Sequence, residues 1–339
     1  MAHHEAKKRA WRTENASMHY SITQDVQAWR VSASDYSPIG GNLQSYLSGF
    51  LLSCRVNELS KLTLEQYSRE LGYFVKFIQR INILVPADIT PHHIRLFLLG
   101  RETTNRASTI NKIYRVLNRF FNWLVEETLL EQSPMTRIKP PRVPKTIIKP
   151  FLAEDINRML FICEKDRLPF VGARNRAIIL TLLDTGLRRA ELVAMKVSDI
   201  DFDHEIITIM GKGSKERVVR IGKRTQAAIL KYLLMRNDQL DRLWLSQTKD
   251  KPLTQYGVQL LIRSVCKRAG ITGVRCSPHT LRHTCATFAL ENGAGEFQVQ
   301  SLLGQSTLAM TRRYTASLDS KFAARAHKGF SPVDNLKNF

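Results

Sequence analysis

The sequence predicts a mainly α chain with a small antiparallel β-sheet: a helical domain followed by a mixed α/β domain. Three observations carry that prediction. Residues 42–131 place their apolar side chains at helical spacing. Residues 134–150 concentrate five of the chain's 12 prolines and divide the sequence. Beyond them, two short β-prone runs, Ile206 to Met210 and Arg217 to Ile221, flank a Gly-Lys-Gly-Ser-Lys-Glu turn and read as a hairpin among helices. A length of 339 residues suits two domains of the usual ~100–200 residues each.

Residues 1–41 form an N-terminal extension. It is polar and Ser-rich, closes on Pro38 and Gly40-Gly41, and is expected to be weakly ordered. Its Lys7-Lys8-Arg9 cluster and Arg12 suit either a solvated tail or a phosphate contact. The helical domain, 42–133, carries a capping-box pattern at Thr63-Leu-Glu-Gln66, with Leu64, Tyr67, Leu71, Phe74, Val75 and Ile78 at helical spacing. Thr90-Pro91 reads as an N-cap with proline at the first helical position, and Gly100 as the stop.

The next helix starts near Ser108 and turns Ile110, Ile113, Leu117, Phe120, Phe121 and Leu124 to one side. Its other face holds Lys112, Arg115 and Arg119, with Asn111, Asn118 and Asn122 nearby and no acid among them. Any amphipathic helix needs a solvated face. Cations and amides together also suit a DNA backbone. Residues 134–150 read as an extended linker, since proline stiffens it, and its cations Arg137, Lys139, Arg142, Lys145 and Lys149 stand without an acid. Arg142 and Lys145 are candidate DNA contacts on that ground. In the domain 151–339, Ala173 to Leu183 is apolar and helical with Gly186 as its C-cap, and helical patterns follow the hairpin near 225–236, 254–269, 279–292 and 296–303.

Charge narrows the function. The formal net charge is +21 and the isoelectric point about 10.0. At 43% hydrophobic residues the chain builds real cores, so it is not a disordered basic tail. The excess predicts a polyanionic partner. Residues 1–150 carry 21 basic and 12 acidic side chains, and residues 151–339 carry 30 and 18. Both halves therefore face the same kind of partner, whereas a polybasic membrane anchor would load its charge in one place. The N-terminus has no apolar signal region, and the apolar stretch around Ala177 to Leu183 is far short of the ~20 residues a span needs. Five cysteines without C-x-x-C spacing fit reduced thiols, so a cytoplasmic protein is expected.

Two chemistries fail on their motifs. The Gly211-Lys212-Gly213-Ser214 turn lacks the glycine and hydroxyl spacing of a nucleotide-binding loop, because Ile206 and Gly213 stand at those positions. His279 and His283 have zinc-hydrolase spacing, but Thr280 replaces the glutamate base.

What remains is a set of cations and one tyrosine: Thr185-Gly-Leu-Arg188-Arg-Ala-Glu191-Leu, Lys212 on the turn, His279-x-x-Arg282-His283, Leu302-Leu-Gly304-Gln305 and Tyr314. In this order they resemble the tyrosine recombinase (phage integrase) family, over about 42–325. The segments T-G-L-R-x-x-E-L, G-K-G-x-K-x-R and H-x-L-R-H-T-x-A-T are the specific ones.

The resemblance implies a helical core-binding (SAM-like) domain and a mixed α/β tyrosine-recombinase catalytic domain. It implies Arg188 and Arg282 as the catalytic arginines, Lys212 as the hairpin lysine, His279 as the catalytic histidine and Tyr314 as the nucleophile. His283 and Glu191 read as structural, Glu191 as a brace for Arg188. Gln305 departs from the family, which usually has His or Trp there; an amide still donates a hydrogen bond but carries no proton.

The chemistry is consistent with those roles. A phosphodiester under attack gathers charge on its non-bridging oxygens, and two planar guanidinium groups offer paired donors for it. A phosphotyrosine ester preserves the energy of the broken linkage, so the reading needs no cofactor and no metal. Tyrosine has a pKa near ~10 and needs help to attack. The resemblance gives Lys212 to the leaving 5′-oxygen and His279 to proton movement around Tyr314.

The partners implied are double-stranded DNA and further copies of the chain, as a tetramer on two sites, with no membrane. Integration or excision of a mobile element is the expected role, because the N-terminal extension exceeds a minimal two-domain chain. A chromosome-dimer-resolving recombinase, a type IB topoisomerase-like enzyme and a catalytically impaired DNA-binding protein are the alternatives. The tail residues Leu318, Phe322, Ala326 and Phe330 are spaced by four, which suits a helix docked on its own domain or on a neighbouring protomer.

Overall fold

A computed structural model describes residues 41–144, 148–210, 216–305 and 307. The chain divides into two compact units at Lys145 and Thr146. The fold class is the expected one: mostly helical, with a single three-stranded antiparallel sheet among the described residues.

The first unit holds α1 (Leu43–Val56), α2 (Lys61–Arg80), α3 (Pro91–Glu102) and α4 (Ala107–Glu126). Asn42 caps α1, its Oδ1 accepting from the Ser45 amide at 3.1 Å. Ser60 caps α2 in the same way, accepting from Thr63 N at 3.3 Å. The helix therefore starts three residues before the Thr63 pattern, and Thr63 itself lies in its first turn. Thr90 does cap α3, and its amide donates to His93 Nδ1 at 3.2 Å, with Pro91 at the first helical position. Gly100 does not end that helix, which runs on to Glu102.

All six apolar residues expected on the inner side of α4 are buried, with Val116 and Trp123 beside them. Phe50 from α1 meets Phe120 and Trp123 edge-on, at centroid distances of 5.5 and 5.6 Å. Edge-to-face rings add about 0.5–1.5 kcal/mol to the area they bury.

The first part of the Pro-rich segment packs on this unit instead of running clear of it. Pro134–Arg137 form a 3-10 turn that buries Met135 in the core. Tyr114 Oη donates to Ile138 O at 2.9 Å, and Asn111 Nδ2 donates to Pro141 O at 2.9 Å. Proline carbonyls are good acceptors although proline donates nothing, so the segment is held through its oxygens.

The second unit runs α5 (Ala153–Glu164), α6 (Pro169–Thr185), α7 (Arg189–Ala194), β1 (Ile200–Asp201), β2 (Ile206–Met210), β3 (Glu216–Arg220), α8 (Lys223–Leu233), α9 (Gln255–Arg268), α10 (Pro278–Glu291) and α11 (Glu296–Leu303). Helix α6 is covered on several sides: Ala177, Ile178, Ile179 and Leu182 are all fully buried. It ends at Gly186, whose left-handed φ of +60° is open to glycine. A Cβ there would lie 2.4 Å from Leu303 Cδ2, so α6 and α11 meet only because the side chain is missing. In the sheet, Ile207 pairs with Val219 and Ile209 with Arg217. The period of two puts Arg217 on the same inner face as Val219.

Candidate active site

Two helix ends and two helix starts build the site. Arg188 is the N-cap of α7. Glu191, three residues on, reaches back so that its Oε2 accepts from the Arg188 amide at 2.8 Å and its Oε1 from Arg188 Nη1 at 2.8 Å. The same carboxylate accepts two more bonds from Arg217, Nη1 to Oε1 and Nη2 to Oε2, each 2.9 Å. The buried Glu191 thus has four donors for its roughly four lone-pair sites. Burial by itself would raise its pKa, but the hydrogen bonds from Arg217 and Arg188 outweigh it and bring the value down to about 2. The carboxylate is therefore ionised at neutral pH.

Helix α11 ends at Gly304, which is left-handed at φ +57°. Its last carbonyls point at the arginines. Arg282 Nη2 donates to Leu303 O at 2.8 Å, and Arg188 Nη2 donates to Gly304 O at 2.8 Å. Arg282 Nη1 also donates to Gly186 O, the carbonyl at the end of α6. Helix C-termini carry partial negative charge, so guanidinium groups are favourable neighbours there. Arg282 is almost fully buried while the Arg188 side chain is 42% exposed. One guanidinium forms the floor of the site and the other its rim.

Helix α10 carries His279 and Arg282 one turn apart, which sets them on one face. Ser277 caps this helix, its Oγ accepting from Thr280 N at 3.2 Å, and His279 is exposed in the first turn. His283 is different in kind. It is buried, which lowers its pKa below the usual histidine value, against hydrogen bonding that includes the Ile148 main chain. Next to it Thr284 Oγ1 accepts from the Phe151 amide at 2.9 Å. His283 and Thr284 thus hold the chain where it enters the second unit, which is the structural part expected of His283. Gln305 follows Gly304 and is partly buried; its main-chain N–H donates to Gln300 O at 3.1 Å.

Lys212 and Tyr314 lie outside the described residues, as do Lys145, the extension up to residue 40 and the apolar residues of the tail. The structure brings Arg188, Arg282, His279 and Gln305 to one region, through α10 and the end of α11. Arg217 had no role in the sequence reading. The Arg of G-K-G-x-K-x-R was visible, but its partner Glu191 is 26 residues away. On α4, Lys112, Arg115 and Arg119 are all exposed, and so is Arg142. Arg119 is paired, its Nη1 3.3 Å from Glu126 Oε1. Asn111 is occupied by Pro141. All five cysteines are unpaired thiols, and burial pushes Cys163 and Cys285 up to about 12. No described helix is long and apolar enough to cross a membrane.

Comparison with known proteins fits this arrangement. Residues 150–321 match the phage integrase family, and residues 46–131 match the phage integrase N-terminal SAM-like domain. A tyrosine recombinase XerC from Bacillus pumilus is 32% identical over 265 residues, 76% of this chain and 86% of that one. A tyrosine recombinase XerC from Bacillus licheniformis is 32% identical over 305 residues, 85% of this chain and 99% of that one.

Among solved structures, a XerH site-specific recombinase bound to palindromic difH substrate aligns with a TM-score of 0.67, at 21% identity and 85% of each chain. A lambda integrase dimer bound to a COC′ core site aligns with a TM-score of 0.67, at 19% identity, covering 89% of this chain and 88% of that one. At such identities these two likenesses show the fold. The chain belongs to the phage integrase family. It is an enzyme of the tyrosine recombinase class.

Proposed function

We propose that this enzyme cuts and rejoins double-stranded DNA at a specific site through a 3′-phosphotyrosine intermediate. Arg188 and Arg282 bind the non-bridging oxygens of the scissile phosphate. Tyr314 attacks, Lys212 gives a proton to the leaving 5′-oxygen, His279 assists proton movement at the nucleophile, and Gln305 donates a hydrogen bond to the phosphate. The observation that carries the reading is the pair of bonds from Arg282 and Arg188 to the consecutive carbonyls of Leu303 and Gly304, both 2.8 Å. Two guanidinium groups fixed in advance cost no reorganisation when charge develops on the phosphate. Tyr314 comes ten residues after Gly304 in the same chain.

Lys112, Arg115, Arg119, Arg142 and Lys145 take the surrounding backbone, in a tetramer that joins two sites. Integration or excision of a mobile element is the role we favour. A chromosome-dimer-resolving role is supported equally by the XerC and XerD relatives.

The test starts from sheared DNA of the source organism. Fragments that the native protein retains on a filter against competitor DNA are sequenced to give the site, which is then built as a nicked duplex. Wild type should accumulate a covalent adduct and Tyr314→Phe none. Binding without adduct would make the chain a DNA-binding protein and would point to Gln305. The flanks of the recovered site decide the role: inverted repeats beside the gene favour the mobile element.

A further inference from the structure

We propose that Arg217 is a positioning residue of the cleavage site: by sharing the Glu191 carboxylate it cancels the charge that would otherwise neutralise Arg188, leaving Arg188 a full cation for the scissile phosphate. The inference rests on the proposed role of Arg188.

The geometry is specific. Arg188 and Glu191 by themselves make a closed ion pair, and a neutral pair has little attraction for a phosphate. The Arg217 guanidinium adds a second, bidentate partner to the same two oxygens. The trio then carries one net positive charge. Glu191 and Arg217 are withdrawn, with side chains 7% and 17% exposed, while Arg188 is 42% exposed. The surplus charge therefore sits on the residue that faces outward. Arg188 spends one N–H on Glu191 and one on Gly304 O. Of the five N–H groups of a guanidinium, three remain for a ligand.

Two features keep Arg217 in place. Its β3 position opposite Ile209 turns it to the inner face of the sheet. Gly304 leaves room for it: a Cβ at that position would lie 2.9 Å from Arg217 Nη1 and 3.0 Å from Cζ. The guanidinium thus lies between the carboxylate and the α11 terminus, touching the same glycine whose carbonyl holds Arg188.

The experiment measures single-turnover formation of the covalent adduct, on the nicked site recovered for the wild type, at saturating protein. Arg217→Gln should slow cleavage by about 10- to 100-fold, less than the loss of a whole donor to the developing charge, because Arg188 is weakened and not removed. The double variant Arg217→Gln with Glu191→Gln should cleave faster than Arg217→Gln alone, because the unbalanced carboxylate is gone. On a duplex with a neutral methylphosphonate at the scissile position, the Arg217→Gln defect should shrink at least several-fold, since less charge must be met.

A double variant no faster than the single one, with equal losses on both substrates, would overturn the proposal and make Arg217 a purely structural link. Arg217→Lys covers the case in which the glutamine variant does not fold: it keeps the charge and should retain most of the wild-type rate. A lysine variant as slow as Arg217→Ala would again sink the charge argument. A wild type without adduct would instead refute the cleavage reading on which this rests.

Discussion

The Arg282 guanidinium donates to the Leu303 carbonyl at 2.8 Å, one residue before the carbonyl that holds Arg188. A single helix terminus therefore sets the spacing of both arginines. The terminus depends on Gly304, whose φ of +57° turns its carbonyl to Arg188 and whose missing side chain admits Arg217.

Gly304→Ala should therefore do two things. The left-handed conformation costs an alanine about 1–2 kcal/mol, read as a lower denaturant midpoint. The added Cβ also displaces Arg217, so covalent cleavage should fall as well. Gly270 supplies the control. It has φ +63° but nothing within 4 Å of an added Cβ. Gly270→Ala should lose similar stability and keep its cleavage rate. Equal cleavage losses in both variants would mean that the loss is one of stability alone.

Glu191 predicts an acid limb in the stability curve. Its folded pKa is about 2 against an ordinary value of 4.5. A depressed carboxylate contributes stability that is present above its unfolded pKa and lost as pH falls through the folded one. The window is thus pH 4.5 down to about 2. A shift of that size corresponds to roughly 3 kcal/mol at most. Denaturant unfolding at a series of pH values should show wild type losing more stability across this window than Glu191→Gln. Parallel curves for the two proteins would count against the buried four-donor carboxylate.

Local signals were legible in the sequence where they stood alone. Gly186 after an apolar run announced a helix end, and the left-handed φ bears it out. Gly100 carried the same letter but sits inside α3 with open space around it, so a helix can run through it. Thr63 belongs to two overlapping patterns, Ser60-x-x-Thr63 and Thr63-x-x-Gln66, and spacing does not say which hydroxyl lies outside the helix. Met135 has only Ile138 as a near apolar neighbour in its Pro-rich run, and two residues make too short a period to place it in a core. The arginines were legible through their motifs. Their supports were not, because Glu191–Arg217 and Arg188–Gly304 are contacts between residues 26 and 116 positions apart.

Thr284 joins two such distant segments and yields a stability prediction free of the chemistry. Its hydroxyl donates to Thr280 O at 2.9 Å and accepts from Phe151 N at 2.9 Å, in a buried setting. Thr284→Val keeps the shape and leaves the Phe151 amide without a partner. A buried unsatisfied donor costs about 1–3 kcal/mol. Thr284→Ser restores the hydroxyl and should recover most of that loss. A valine variant as stable as wild type would show that the entry segment is held by packing.

The basic face of α4 can be tested through salt. Each phosphate contact that is lost should reduce the slope of log affinity against log salt by about 0.9. Lys112 and Arg115 are exposed, and neither pairs with an acid among the described residues, so Lys112→Ala and Arg115→Ala should each remove about one such contact. Arg119 is shared with Glu126 at 3.3 Å, both side chains about half exposed. Arg119→Ala should therefore change the slope less than either neighbour. Glu126→Gln should steepen it, because the released guanidinium then turns to DNA. Binding measured by fluorescence anisotropy between low and moderate salt separates these cases. Slopes unchanged in both Lys112→Ala and Arg115→Ala would make this a solvated face and move the DNA contact to another surface of the first unit.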